Sequence, residues 1–168
     1  KNFRSTYAIM NFARVAFPDA YIPLSTINAL RSNPGEQPTL ITTDGNPRFD
    51  ASAEAKRNDA IKEIIDEFRA ETHNIAILVP FKNTVKEYDS ILDSMGIEHS
   101  LYYEDRSIFP DGCPAIDNVH VTTYKSAKGL EFDTVIIPDF GNMNYLFENI
   151  VTVEWNDFYV AATRARSN

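Results

Sequence analysis

The chain has 168 residues, 43% of them hydrophobic, with one cysteine and a formal net charge of −8. This length and apolar content suit a single domain with one substantial core, and the lone Cys113 rules out an internal disulfide and fits a reducing, cytosolic compartment. No secretory signal pattern or long apolar run argues for export or a membrane span, and net acidity on its own argues against binding to phosphates. The charge is unevenly placed, however. Residues 51–118 carry seven basic and fourteen acidic side chains, against five and four in residues 1–50 and four and six in residues 119–168. The two ends are therefore close to neutral.

In chain order, Asn2 to Phe17 reads as a helix closed by Pro18, and Thr39 to Thr43 as a short strand ending at the turn Asp44-Gly45-Asn46. From Ala53 to Glu71, Ile61, Ile64, Ile65 and Phe68 recur at helical spacing, which predicts a helix with a core face opposite a solvated charged face. Asn74 to Pro80 is a continuous apolar strand. Val85, Tyr88, Ile91, Leu92 and Met95 then mark an amphipathic helix closed by Gly96, a residue suited to a left-handed cap. Glu98 to Tyr103 reads as a short strand and Arg106 to Asn118 as a loop. Val119 to Thr123 and Thr134 to Pro138 read as buried strands, and Trp155 to Arg164 as the last helix. Strands alternating with helices predict an α/β fold built on a mostly parallel sheet with helices on both faces.

Three stretches carry candidate chemistry: NFRST at Asn2 to Thr6, TTYKSAKGLEF at Thr122 to Phe132, and YVAATRA at Tyr159 to Ala165. In that order they resemble motifs IV, V and VI of the UvrD/Rep-like superfamily 1 DNA helicases. All three motifs belong to one half of that motor, its C-terminal or second RecA-like domain, a three-layer domain related to the phosphate-loop nucleotide hydrolases. The loop from Arg106 to Asn118 leaves no room for the accessory subdomain that larger members insert before motif V, so the likeness is to compact members.

The resemblance assigns roles residue by residue. Arg164 is the expected arginine finger, reaching the γ-phosphate across an interdomain cleft. The chemistry suits it, because a planar cation that never deprotonates stabilises charge building on the phosphoryl oxygens. The plain alternative is a surface arginine favoured near a helix C-terminus by the macrodipole. Phe3 and Arg4 stand where the family has an adenine-stacking aromatic and a γ-phosphate contact. Phe3 keeps the flat stacking face and lacks the phenolic hydroxyl. Gly129 permits a positive φ or a close backbone approach, and Glu131 is expected to face the nucleotide and accept from its ribose.

On the nucleic-acid side, Thr123, Tyr124 and Lys125 are expected to meet a phosphate through hydroxyl, main-chain and ammonium donors, contacts that position a strand without reading its sequence. Lys125 replaces the histidine of many relatives. Pro80 occupies the position of a strand-contacting arginine, and Lys82 and Asn83, at a helix N-terminus, are candidate replacements. Asn83 is equally a candidate helix N-cap. Lys128 and Arg166 read as solvated, and Asp139, at the end of VIIPD, as a strand-end turn residue rather than a Mg²⁺ ligand. His73, His99, His120 and Cys113 show no metal-ligand spacing, so no metal site is expected.

A hydrolase of this kind needs a Gly-rich loop ending in Gly-Lys followed by Ser or Thr, and no such stretch occurs in the chain. The expectation is therefore a fragment of a longer ATP-dependent DNA helicase or translocase. Its partners are an upstream first RecA-like domain, which holds most of the ATP and Mg²⁺, and single-stranded DNA, with RNA left open. Alone, the fragment is expected to be inactive and to hold no cofactor; the whole protein is expected in the cytoplasm, at the nucleoid in a bacterium, with DNA repair a candidate pathway. The competing reading is a nucleic-acid or protein-binding module that keeps this fold without motor function, for which the departures at Phe3, Pro80 and Lys125 leave room.

Overall fold

The computed structural model describes residues 5–16, 22–69, 74–116, 118–140 and 154–166. Its centre is a four-stranded, wholly parallel sheet of β1 (Ile75–Val79), β2 (Ser100–Tyr102), β3 (Val119–Thr123) and β4 (Thr134–Ile136), in the order β2-β3-β1-β4. The two central strands are buried at every position. That explains why apolar and β-branched residues dominate them, with His120 the exception, since a strand covered on both faces has no solvent side to alternate with.

Helices cover both faces. On one side α3 (Ala51–Phe68) and α4 (Lys82–Ser94) place Ile61, Ile65, Val85, Tyr88 and Leu92 against Ile75, Ile77, Val79, Val119 and Val121. On the other, α1 (Tyr7–Ala16), α2 (Leu24–Asn28) and α5 (Trp155–Ala162) enclose Ala13, Ile27, Phe158 and Ala161 with Ala76, Leu78, Tyr124 and Phe132. The period-two alternation of β1 thus sends its odd residues to one core and its even residues to the other. No described helix is long and apolar enough to cross a membrane.

Most predicted elements form, with informative differences. α3 starts at Ala51 because the Asp50 carboxylate caps it, accepting from Ser52 N at 2.8 Å and Ala53 N at 3.2 Å. α4 ends before Gly96, whose φ of +67° is the expected left-handed turn. β4 stops at Ile136, short of Pro138, which has no N–H to donate to a ladder.

Other expectations fail. The described part of the first helix begins at Tyr7, with Ser5 and Thr6 outside it. Thr6 caps it, its hydroxyl accepting from Ile9 N at 3.4 Å, while Tyr7 N and Ala8 N donate to Asn33 O and Pro34 O. The strand expected at 39–43 does not form: the segment lies outside the sheet with Leu40 71% and Ile41 52% exposed. β-propensity needs a ladder partner to be realised, and no described strand pairs with this segment. Helix α2 has no counterpart among the predicted elements, being too short to show periodicity.

Candidate nucleotide and nucleic-acid site

The TTYKSAKGLEF segment crosses one face of the sheet from one end of β1 to the other. At the C-terminal end, Tyr124 N donates to Val79 O at 3.0 Å, and at the N-terminal end Asp133 N donates to Asn74 O at 2.9 Å. The rise of a strand separates these points by roughly 17 Å. Between them the chain runs through turns rather than a helix, with Ala127 and Phe132 buried and Gly129 at φ +92°. A Cβ added to Gly129 would meet nothing within 4 Å, so this glycine serves the turn and not a close packing contact.

At the N-terminal end three distant segments converge. Ser5 Oγ, next in sequence to Arg4, donates to Thr163 O at 3.0 Å and is buried. Phe132 N donates to Arg164 O at 3.1 Å and Arg166 N to Phe132 O at 2.8 Å, forming a parallel bridge between Phe132 and Ala165. Beside that bridge Arg166 is ion-paired to Glu131, with Nε 3.0 Å from Oε2 and Nη2 on the same oxygen. The pairing holds the Arg166 guanidinium above its ordinary pKa. Arg166 is thus more than the solvated arginine expected from sequence: it is the partner of the expected nucleotide-facing carboxylate.

Arg164 is half-buried just after α5, and its Nε donates to Val160 O at 3.0 Å. Thr163 Oγ1 reaches Tyr159 O and Val160 O in the same turn. Tyr159 O also accepts from Thr163 N at 3.1 Å, so it is Val160 O, near the helix end, that depends on these side-chain donors. Phe3 and Arg4 lie outside the described residues, as does His73.

At the opposite end the expected nucleic-acid residues gather near the C-terminal ends of β1 and β3. Thr123 Oγ1 accepts from Ser126 N at 3.1 Å and donates to Ser126 Oγ at 2.9 Å, which shapes the first turn of the segment. Lys125 is 58% exposed and 3.6 Å from Asp157, in the first turn of α5. Lys82 is 57% exposed and 3.5 Å from Asp105, whose carboxyl is held below its usual range chiefly by Ser107 and also by Lys82.

Two of these assignments need correction in detail. Tyr124 is 1% exposed and packs edge-on against Phe158, and its N–H is bonded to Val79 O, so neither ring nor main-chain donor faces outward. Burial and the nearby Asp139 also raise its phenol's pKa. Asn83 is not the N-cap of α4; that position is Phe81, and Asn83 sits exposed within the first turn.

Two charged groups escaped sequence reading. Arg57 lies in the buried stripe Ala53, Arg57, Ile61, Ile65 of α3, with its side chain only 8% exposed, and pairs with Asp139. Its spacing of four from Ala53 and Ile61 was the available signal. His99 on the β2 side faces Asp89 at 3.0 Å, and Asp93 joins them with ligand atoms within 4.8 Å of one another, a grouping that sequence spacing did not show.

A parallel α/β sheet clad on both faces, with its loops gathered at the strand ends, is the three-layer architecture expected of a RecA-like domain. The solved C-terminal domain of a possible DNA helicase from Lactobacillus plantarum WCFS1 has the same fold: TM-score 0.64 at 20% identity, over 99% of this chain and 84% of that one. The family described as UvrD-like helicase C-terminal domain matches residues 110–168, which hold the TTYKSAKGLEF and YVAATRA segments. The resemblance to UvrD-like C-terminal helicase domains is thereby borne out. Comparison with curated proteins finds no match.

Proposed function

We propose that this chain is the second RecA-like motor domain of an ATP-dependent DNA helicase or translocase. The observation that carries the reading is the convergence at one end of the sheet of Ser5, Glu131 and Arg164–Arg166, joined by the Ser5–Thr163 bond and the Phe132–Ala165 bridge. An upstream domain of the same polypeptide supplies the phosphate-binding loop, Mg²⁺ and the group that orients the attacking water. ATP and Mg²⁺ then bind chiefly to that domain.

In this reading Arg164 and Arg4 close on the γ-phosphate, Phe3 stacks on the adenine and Glu131 accepts from the ribose. The capping bond from Arg164 Nε is compatible with this role, because guanidinium has five donors and Nε supplies one. Thr123, Lys125, Lys82 and Asn83 hold single-stranded DNA by its phosphates at the other end, where the exposed ammonium groups are set against partly exposed carboxylates rather than buried. One continuous segment, Thr123 to Phe132, links the two ends. Closure over ATP is thus transmitted along it to the DNA, and repeated closure and reopening moves the domains along the strand.

The test is ATP hydrolysis by the full-length protein with and without single-stranded DNA, comparing wild type with Arg164→Ala. DNA-stimulated turnover that falls about a thousandfold or more in the variant supports a working finger. Near-normal turnover in the variant removes that assignment, and a folded wild type without turnover favours the non-motor binding module.

A further inference from the structure

The contact between Glu131 and Arg166 spans a backbone bridge. Arg166 N donates to Phe132 O at 2.8 Å and Phe132 N to Arg164 O at 3.1 Å, and Glu131 and Arg166 flank that parallel bridge diagonally, an offset that the long arginine side chain crosses. The guanidinium then places both Nε and Nη2 on Oε2 of Glu131. Arg166 is 55% exposed and Glu131 23% exposed. Exposed ion pairs add little to stability, so this one is poorly explained as a prop for the fold. A carboxylate offers about four lone-pair sites over its two oxygens. Both guanidinium bonds fall on one oxygen, Oε2, and so fix the direction in which the group faces.

We propose that Arg166 is a positioning residue for nucleotide binding: it holds the Glu131 carboxylate in the orientation from which that carboxylate accepts a ribose hydroxyl. The proposal rests on the nucleotide reading of Glu131 and adds to it a residue outside all three sequence stretches that suggested a site. Arg166 touches neither phosphate nor sugar and acts through Glu131. It also ties the sugar-facing carboxylate to the strand that carries Arg164, so that sugar and γ-phosphate are held from a single backbone bridge.

The experiment measures hydrolysis of ATP and of 2′,3′-dideoxy-ATP by the full-length protein, in wild type, Arg166→Ala, Arg166→Lys, Glu131→Gln and Arg164→Ala. Wild type is expected to favour ATP over the dideoxy analogue in KM by about three- to tenfold, the range for one hydrogen bond. Arg166→Ala is expected to raise KM for ATP by about the same factor, leave KM for the analogue near its wild-type value and change kcat by less than about twofold. Arg166→Lys, which keeps the charge, recovers part of the preference, and Glu131→Gln loses it as Arg166→Ala does. A preference for ATP that survives in Arg166→Ala overturns the proposal, as does an equal rise in both KM values with a lowered melting temperature, which marks a structural role. A wild type with equal KM for ATP and the dideoxy analogue would instead sink the ribose reading of Glu131 underneath, and full turnover in Arg164→Ala would remove only the finger, so each failure is separately visible.

Discussion

Arg57 and Asp139, 82 positions apart, form an ion pair that fastens α3 to the chain leaving β4: Nη1 lies 3.2 Å from Oδ2 and 3.3 Å from Oδ1. Tyr88 from α4 completes the group, its hydroxyl 3.4 Å from Oδ2 and its ring 5.3 Å from the guanidinium carbon. Burial, and after it Asp139, keeps the Tyr88 phenol protonated far above its ordinary range. Asp139 has φ +56°, a left-handed conformation that Asp tolerates better than most residues. It is the turn residue expected from sequence, with a partner that sequence did not reveal.

Removing Arg57 leaves a carboxylate against the core without its cation. Arg57→Ala is expected to destabilise the domain by about 2–4 kcal/mol. Arg57→Met with Asp139→Asn should recover much of the loss, because the unpaired charge is gone. Urea unfolding of the three proteins checks this, and an Arg57→Ala midpoint equal to wild type would count against a structural role for the pair.

Stability should fall as the solution is acidified through the range set by His120. Its ring is fully buried, stacked on Phe132 at 5.9 Å, with Nδ1 2.8 Å from Ser100 Oγ and Nε2 unpartnered among the described residues. Burial, helped by the charge of His99, lowers its pKa from 6.5 to about 4. The unfolded chain therefore takes up a proton near pH 6.5 that the folded chain refuses until about pH 4, and stability rises with pH across that interval. Between pH 7 and pH 5 the loss from this group is roughly 2 kcal/mol. Urea midpoints at the two pH values measure it, and His120→Leu should flatten the difference.

Gly35 and Gly129 both have positive φ, yet their substitution should differ sharply. A Cβ on Gly35 would lie 2.2 Å from Thr6 Cβ, whereas one on Gly129 meets open space. Gly129→Ala should cost about 1–2 kcal/mol, from backbone strain alone. Gly35→Ala adds a displacement of Thr6, the cap of α1 and a neighbour of Ser5, and should cost about 1–3 kcal/mol more. Thermal unfolding ranks the two, and equal costs would mean that Thr6 yields freely.

Lys82 and Lys125 should affect DNA binding more than folding. Each is well exposed and set 3.5 Å or 3.6 Å from a carboxylate. In the full-length protein, Lys82→Ala or Lys125→Ala is expected to weaken single-stranded DNA binding and to reduce the salt dependence by about 0.7 in log–log slope for each phosphate the variant no longer neutralises. The melting temperature should stay near that of wild type. Fluorescence anisotropy titrations at several salt concentrations decide it, and an unchanged slope removes that lysine from the interface.

Much of the fold was legible because burial on both faces leaves a plain trace: β3 at 119–123 stands where an unbroken β-rich run predicted it, and the core face of α3 follows from Ile61 and Ile65. The segment at 39–43 misled because its β-branched residues express a local preference that only a neighbouring strand can satisfy. Tyr124 misled differently, as membership in a motif says nothing about which way a side chain turns. The motif strings themselves were legible as strings, and the family match over residues 110–168 covers two of the three.

By itself the sequence determined the α/β class, the order of the main elements and the likeness to UvrD-like C-terminal helicase domains, because periodicity, turn residues and short motifs are local properties of a chain. Only the tertiary structure decided that Arg57 is buried on Asp139, that Arg166 belongs to Glu131, and that Ser5, Phe132 and Thr163 meet at one end of the sheet. Those partners are far apart along the chain, and a charged side chain looks the same in sequence whether it faces water or a partner. Strand pairing and helix packing choose between the two, by setting which backbones run side by side and which polar groups lose their water.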